Sequence, residues 1–185
     1  MIVTIVRLYD HHDDAANVVR ALREAGVPEH DISILARSDR VHGAATGAEI
    51  GAAIGGLAGL VTGLGLIAIP GVGPAVAAGW LGATLAGVAA GGWVGGALGV
   101  LATAGISGEE AHAIAEALRR GGTLVSARVP EAEQKRCAAL MDRGAVDVHV
   151  RIETYRAAGW VAYDPKAAPF TADEIQRERE RNRGR

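Results

Sequence analysis

The run from Asp10 to Asp14, Asp-His-His-Asp-Asp, is the densest set of metal-ligand residue types in the sequence. Imidazole and carboxylate groups bind zinc and other divalent cations. Adjacent ligands point in different directions, however, and no distant Cys or His series completes a tetrahedron. Because Asp13 suits the N-cap of a following helix and Asp14 its positive end, the sequence favours a capped loop, and no metal ligand is assigned.

Three further features have the residue types of an enzyme or a cofactor site. The stretch from Gly63 to Ala68 matches GxGxxA, but it follows no strand, and Pro70 stops the helix that this fingerprint should open. Cys137 lies on an apolar helical face, which favours a core position. His149 alternates outward on a predicted strand and is expected in solvent. No catalytic residue and no cofactor is therefore assigned, and the sequence predicts a protein that is not an enzyme.

Composition excludes several classes of protein. The chain has 185 residues, of which 49% are hydrophobic, 4% are aromatic and 26 are glycine. This size suits one modest domain with an insertion, and the apolar content excludes disorder. A net charge of −2 gives no positive field for phosphates, so no nucleic-acid partner is expected. A single cysteine excludes a disulfide framework, and the absence of a signal-peptide pattern predicts a cytoplasmic N-terminus.

Charge divides the chain into four parts. Residues 43–105 carry one charge, Glu49, and 19 of the 26 glycines, whereas the segments on either side are rich in charges of both signs. We therefore expect residues 1–42 and 106–155 to form the two halves of one domain. Residues 43–105 form an insertion, and residues 156–185 form a charged C-terminal tail.

The two flanking segments follow alternating strand and helix patterns. A β-branched strand over residues 2–9 precedes a helix and a second strand over 31–36, and the apolar face of that helix comprises Ala15, Val18, Val19 and Leu22. A capping box from Ser107 to Glu110 begins the next helix, whose apolar stripe comprises Ala111, Ile114, Ala115 and Leu118. A strand covers 123–129, and Pro130 opens a helix that contains Cys137, Leu140 and Met141. Residues 146–152 then alternate with a period of two, which predicts a fourth strand. These elements predict an α+β fold, a ferredoxin-like four-stranded sandwich interrupted by the insertion.

The insertion has the spacing of a glycine zipper. Apolar stretches at 50–69 and 75–104 are long enough to span a bilayer as two helices, and glycines four residues apart would leave a groove for close helix packing. Prolines and glycines between the stretches predict the bend of a helical hairpin at Pro70, Gly71, Gly73 and Pro74. The expected helix-packing residues are Gly43, Gly47, Gly51, Gly55, Gly59, Gly63, Gly79, Gly87, Gly91, Gly95 and Gly99.

Two environments suit such a hairpin. Its length and lack of charge favour insertion into a membrane, with the domain and tail on the cytoplasmic side. Its low hydrophobicity per residue suits burial inside a soluble homo-oligomer instead. In either environment the glycine surface requires a partner.

The tail predicts a solvated helix. Thr171 and Glu174 form a capping box, and arginine and glutamate alternate after it. The balance of charges is too even for a strong anchor to anionic lipids.

Several stretches resemble the bacterial general stress proteins, also called heat-induced stress proteins. They are DAANVVRALREAGVPEHDISILAR, GLGLIAIPGVGP, RRGGTLVSARVP and RGAVDVHV, and the resemblance runs over about residues 2–153. It implies a small bacterial protein that is linked to stress responses and contacts membranes, with no established catalytic residues.

Together these observations predict a non-enzymatic, membrane-associated, self-assembling stress protein at the cytoplasmic face of the inner membrane. Its partners would be further copies of itself and the lipid bilayer. Two alternatives stay open, namely a ferredoxin-like sensor module that binds a ligand or a metal, and a soluble homo-oligomer with buried hairpins.

Overall fold

Outside residues 43–105, the described part of the chain forms three strands and five α-helices. The computed structural model describes residues 1–37, 65–69, 73–78, 80, 98, 101–102, 105–106, 108–164, 166–168 and 170–182. In chain order its elements are β1 (Ile2–Tyr9), α1 (His12–Glu24), β2 (Ile32–Arg37), β3 (Gly65–Ile69), β4 (Gly73–Ala78), α2 (Gly108–Arg119), β5 (Thr123–Pro130), α3 (Gln134–Met141), α4 (Val148–Ala157) and α5 (Ala172–Asn182).

The strands form one antiparallel sheet in the order β1-β5-β2-β4-β3. β5 lies between β1 and β2, so that Ala127 is opposite Ile5 on one side and Ile32 on the other. β1 and β2 therefore run parallel to each other with β5 between them. β4 pairs with the other side of β2, and β3 pairs with β4.

One face of the sheet packs against α1 and α3. Its strand residues, such as Ile5, Ile34 and Val125, alternate inward and meet the apolar side of both helices. The Tyr9 hydroxyl donates a hydrogen bond to the Met141 carbonyl at 2.5 Å. The predicted apolar residues on these two helices lie in this core. Leu140 is half-buried, and the others are buried, namely Ala15, Val18, Val19, Leu22, Cys137 and Met141.

The opposite face packs against α2. Leu35 and Leu124 of the sheet share an apolar cluster with this helix, and Leu101 and Tyr163 are buried in the same cluster. Trp80, Leu98 and Ile106 pack against it. The structure confirms the predicted apolar stripe of α2, which comprises Ala111, Ile114, Ala115 and Leu118.

The predicted strand over residues 146–152 is wrong, because the chain forms α4 there. The Asp147 carboxylate accepts the backbone N–H groups of His149 and Val150 at 2.8 and 3.4 Å, which caps the helix. Helical spacing buries Arg151 and Tyr155, whereas Val150 is 55% exposed. The N-cap and these buried side chains override the period-two pattern of the sequence.

The predicted helical hairpin is also wrong over its central part, where the chain forms β3 and β4. Residues predicted in helices at 65–69 and 75–78 pair as antiparallel strands, and Gly73 and Pro74 of the predicted bend begin β4. β5 covers only one side of β2, so its other side would leave backbone groups unpaired without β4. Glycine also costs about 1 kcal/mol relative to alanine within a helix.

These two differences overturn the predicted fold class. The flanking segments supply three strands, not the four of a ferredoxin-like sandwich, and the middle segment adds two strands to their sheet. None of the helices in the described ranges has the length and apolarity that a bilayer crossing requires.

Candidate functional site

The predicted packing glycines all lie outside the described residues, and so do Pro70 and Gly71 of the bend. The possible GxGxxA fingerprint overlaps β3 over residues 65–68. A dinucleotide site requires this motif to open a helix, so the structure does not support a cofactor at that position.

The loop rich in metal-ligand types is occupied by structural contacts. The Asp10 carboxylate accepts from the Arg151 guanidinium at 2.6 Å, and His12 is buried at the start of α1. The helix begins two residues earlier than predicted, with His11 as its N-cap, so Asp13 and Asp14 lie in its first turn. No group of three His, Cys, Asp or Glu side chains within the described part of the chain is arranged to hold a metal ion.

Two other candidate side chains lie apart from each other. Cys137 is fully buried in the core between α1 and α3, and burial raises the pKa of its thiol. The His149 side chain is exposed, with its Nε2 3.6 Å from an oxygen of Glu110, but it belongs to α4 and not to a strand.

The main concentration of buried charge lies where the tail packs on the C-terminal end of α2. We call it the tail-docking cluster, and it comprises Glu116, Arg119, Arg120, Tyr155, Phe170, Ile175 and Glu178. The predicted solvated helix is thus only partly solvated, because α5 buries Ile175, Glu178 and Arg179.

Glu116 is the centre of this cluster and is only 1% exposed. The Arg119 guanidinium donates to both of its oxygens, at 2.8 and 2.5 Å, and Arg120 donates to one of them at 2.7 Å. Burial alone would raise the pKa of this carboxyl group, but the two arginines outweigh burial and lower its pKa. Glu116 is therefore held as a carboxylate.

Arg120 connects this centre to the tail. Its Nη1 donates to Glu178 on α5 at 3.0 Å, and its guanidinium lies 4.2 Å from the ring centre of Tyr155 and 5.2 Å from that of Phe170. Burial raises the pKa of the Tyr155 phenol well above its usual range, so the ring stays neutral beneath the cation. The arginine is thus placed between two carboxylates and two aromatic rings.

Backbone contacts complete the attachment. Arg119 donates to the Ala168 carbonyl at 2.9 Å, and Arg179 donates to the Gly121 carbonyl at 3.0 Å. A Cβ atom built on Gly121 would lie 2.7 Å from the Ile175 side chain. Gly121 also has a φ of +89°, so both the tail and the turn after α2 require glycine here.

The start of α5 follows the predicted capping box. The Thr171 N–H donates to a Glu174 carboxylate oxygen at 2.7 Å, and the Glu174 N–H donates to the Thr171 hydroxyl oxygen at 3.3 Å. This cap fixes where the helix begins and so which of its residues face α2. Ile175, Glu178 and Arg179 then share the buried face.

The chemistry of this cluster suits docking. Its buried carboxylates accept hydrogen bonds from guanidinium groups, and its buried tyrosine is neutral. The sequence contained one signal for it, since Ile175 is the only large apolar residue after Phe170 and lies three and four positions before Glu178 and Arg179. Charge alternation in the tail concealed this signal.

Comparison with known proteins identifies no relative: no family model, no curated protein and no solved structure matches the chain.

Proposed function

We propose that this chain is a non-enzymatic, self-assembling protein of the bacterial general stress type, in which the Gly/Ala-rich segment 43–105 is the contact surface. The observation that carries the proposal is how the domain holds that segment. Strands β3 and β4 extend the sheet, and Trp80, Leu98 and Leu101 pack in or against the apolar cluster of α2. The described parts of the segment are therefore attached to the domain, through the two strands and these three side chains.

The composition of the segment supports a role in contact. A single charge over 63 residues offers water little to solvate, and small residues let another backbone approach closely. The tail-docking cluster supports a role that does not depend on catalysis, because its charged groups are used in holding the tail. In this proposal the α/β domain carries the segment and the segment associates with further copies and with membranes.

Substitution of Gly51, Gly55 and Gly59 by leucine tests the role in self-assembly. Bulky side chains would fill the close-contact surface, so we expect the variant to sediment as a smaller species than the wild type. The matched control replaces the same three glycines by alanine and should keep its assembly state. Circular dichroism monitors the fold in both variants, and unchanged assembly in a folded leucine variant would contradict the proposal.

A charged substitution tests the membrane contact. Val61→Arg should lower the fraction of protein that floats with zwitterionic lipid vesicles, because an arginine side chain is costly in hydrocarbon. Val61→Ile is the matched control and should float as the wild type does. If the wild type stays entirely in the lipid-free fraction, the membrane part of the proposal is wrong.

A further inference from the structure

Strand β1 has an outer edge that is only partly covered. The strand pairs with β5 on its other side. On the outer side the Leu8 carbonyl accepts the Val146 N–H at 2.8 Å, and the Val6 carbonyl accepts an N–H of the Arg7 side chain at 2.8 Å. Because alternate residues of a strand direct their backbone groups to the same side, Ile2 and Thr4 also direct theirs outward.

Among the described residues, these contacts cover only the C-terminal half of the β1 edge. The Arg7 side chain is fixed over Val6 by Asp142, which accepts from Arg7 Nε at 2.7 Å. Towards the N-terminus, Ile2 is 64% exposed, and no charged residue or proline lies between Ile2 and Val6. Proteins usually protect edge strands with such residues, so this part of β1 is a template for strand pairing.

We propose that β1 pairs with β1 of a second copy of the chain in an antiparallel, two-fold arrangement centred on Thr4. Thr4 then lies opposite Thr4 of the partner subunit, and Ile2 lies opposite Val6 of the partner subunit. This pairing rests on the self-assembly proposed above and adds a second contact to the one proposed for residues 43–105. It joins the two sheets into one.

The sequence of the strand favours a second copy over an unrelated peptide. Residues 2–6 read Ile-Val-Thr-Ile-Val, so an antiparallel pair centred on Thr4 places an isoleucine opposite a valine at every other position. Such β-branched cross-strand pairs stabilise sheets. Arg7 lies opposite Met1 of the partner subunit, so the pairing places no like-charged side chains opposite each other.

The pairing has one local cost. The Val6 carbonyl must exchange the Arg7 side chain for a backbone N–H of the partner, while Arg7 keeps its ion pair with Asp142. The contact covers few residues in each copy, and small interfaces are typically weak. We therefore expect a dissociation constant of about 1 μM or weaker for this contact alone.

Two opposite charges at the centre provide the test. Thr4→Lys and Thr4→Glu each place like charges across the two-fold axis, so each variant alone should associate at least about tenfold more weakly than wild type in sedimentation equilibrium. An equimolar mixture should recover the association, because a lysine then faces a glutamate. Thr4→Val, which adds no charge, is the matched control and should stay within about threefold of wild type.

A backbone variant tests the same contact independently of charge. Thr4→Pro removes the outward N–H without breaking a bond to β5, and proline is tolerated on edge strands in this position. It should also weaken association by about tenfold or more, with a melting temperature near that of Thr4→Val.

The outcomes separate this inference from the proposed function. Assembly that all the Thr4 variants leave unchanged but that the Gly51, Gly55 and Gly59 leucine variant abolishes overturns the β1 pairing alone. A wild-type chain that is monomeric at every concentration overturns both proposals. If Thr4→Lys and Thr4→Glu each associate weakly alone and their equimolar mixture recovers association, the result supports the pairing centred on Thr4.

Discussion

The two faces of the sheet are held by different kinds of contact. On the face of α1 and α3 the buried residues are almost all apolar, and each helix buries a stripe that is visible in its own sequence. On the face of α2 the apolar cluster is joined to a set of buried charges, and Arg120 and Glu178 pair although 58 positions separate them. Apolar burial on the first face depends on local patterns, whereas docking on the second face depends on distant partners.

This difference has consequences for stability. Removal of an apolar side chain from the first face leaves a cavity, which lowers the free energy of unfolding of the whole domain. Removal of one charge from the tail-docking cluster leaves its ion-pair partners buried without an opposite charge, which weakens the packing of the tail on α2. Single substitutions on each face separate the two effects.

The largest effect is expected on the apolar face. Leu22 is fully buried between α1 and the sheet, so Leu22→Ala should lower the free energy of unfolding by about 3 to 4 kcal/mol. Urea denaturation followed by circular dichroism measures this loss. Tail docking should persist in the folded variant, and a loss below about 1 kcal/mol would show that α1 is not part of the core.

The next largest effect is expected for Glu116→Gln, which should lower the free energy of unfolding by about 3 kcal/mol. Arg119 and Arg120 would stay partly buried and would lose the carboxylate that they share. Glutamine preserves the volume, so the loss reports charge and not packing. The matched control is Glu180→Gln on the exposed side of α5, for which we expect a change within about 0.5 kcal/mol. Equal effects of the two variants in urea denaturation would show that the buried network contributes nothing.

Two glycines with nearly the same φ isolate the contact with the tail. Gly26 has a φ of +90° and open space around a built Cβ, whereas Gly121 has a φ of +89° and the Ile175 side chain 2.7 Å away. Substitution by alanine should lower the free energy of unfolding by about 1 to 2 kcal/mol at Gly26 and by about 1 kcal/mol more at Gly121. The additional cost should disappear in Gly121→Ala with Ile175→Ala, and equal costs for the two single variants would contradict the contact.

Acid should weaken the second face through Glu116. Its pKa is lowered in the folded chain, so the stability it contributes is present above the pKa of an unfolded glutamate, about 4.3, and is lost as the pH falls through the lower folded value. Below pH 4.3 the free energy of unfolding should therefore fall more steeply for the wild type than for Glu116→Gln. Parallel acid curves would contradict this assignment.

Local patterns predicted much of the fold. The buried stripes of α1 and α2, the strand β1 and the capping box at Thr171 all depend on neighbouring residues, and the structure confirms them. The strand predicted at residues 146–152 failed because the Asp147 cap and the burial of Tyr155 outweigh a period of two. The helical hairpin was wrong over its described central part, because β2 requires a strand on its second side and a local pattern does not show this requirement.

The candidate site was harder to predict than the fold. The glycine pattern predicts a segment that requires a partner, but it does not indicate that part of the segment joins the sheet. The tail-docking cluster was concealed because its charged residues lie in α2 and α5, far apart in the sequence, and the charges of each helix alone are typical of a solvated surface. Only the fold brings Gly121 and Ile175 together.

Hydrogen exchange of the α5 backbone amides in the full-length chain tests docking of the tail most directly. An isolated helix of this length is marginal in water, so protection of its amides would report attachment to α2. We expect the amides near Ile175 and Glu178 to be protected in the wild type and to lose protection in Glu116→Gln, while α1 keeps its own. Unprotected α5 amides in a wild-type chain whose α1 amides are protected would contradict a docked tail.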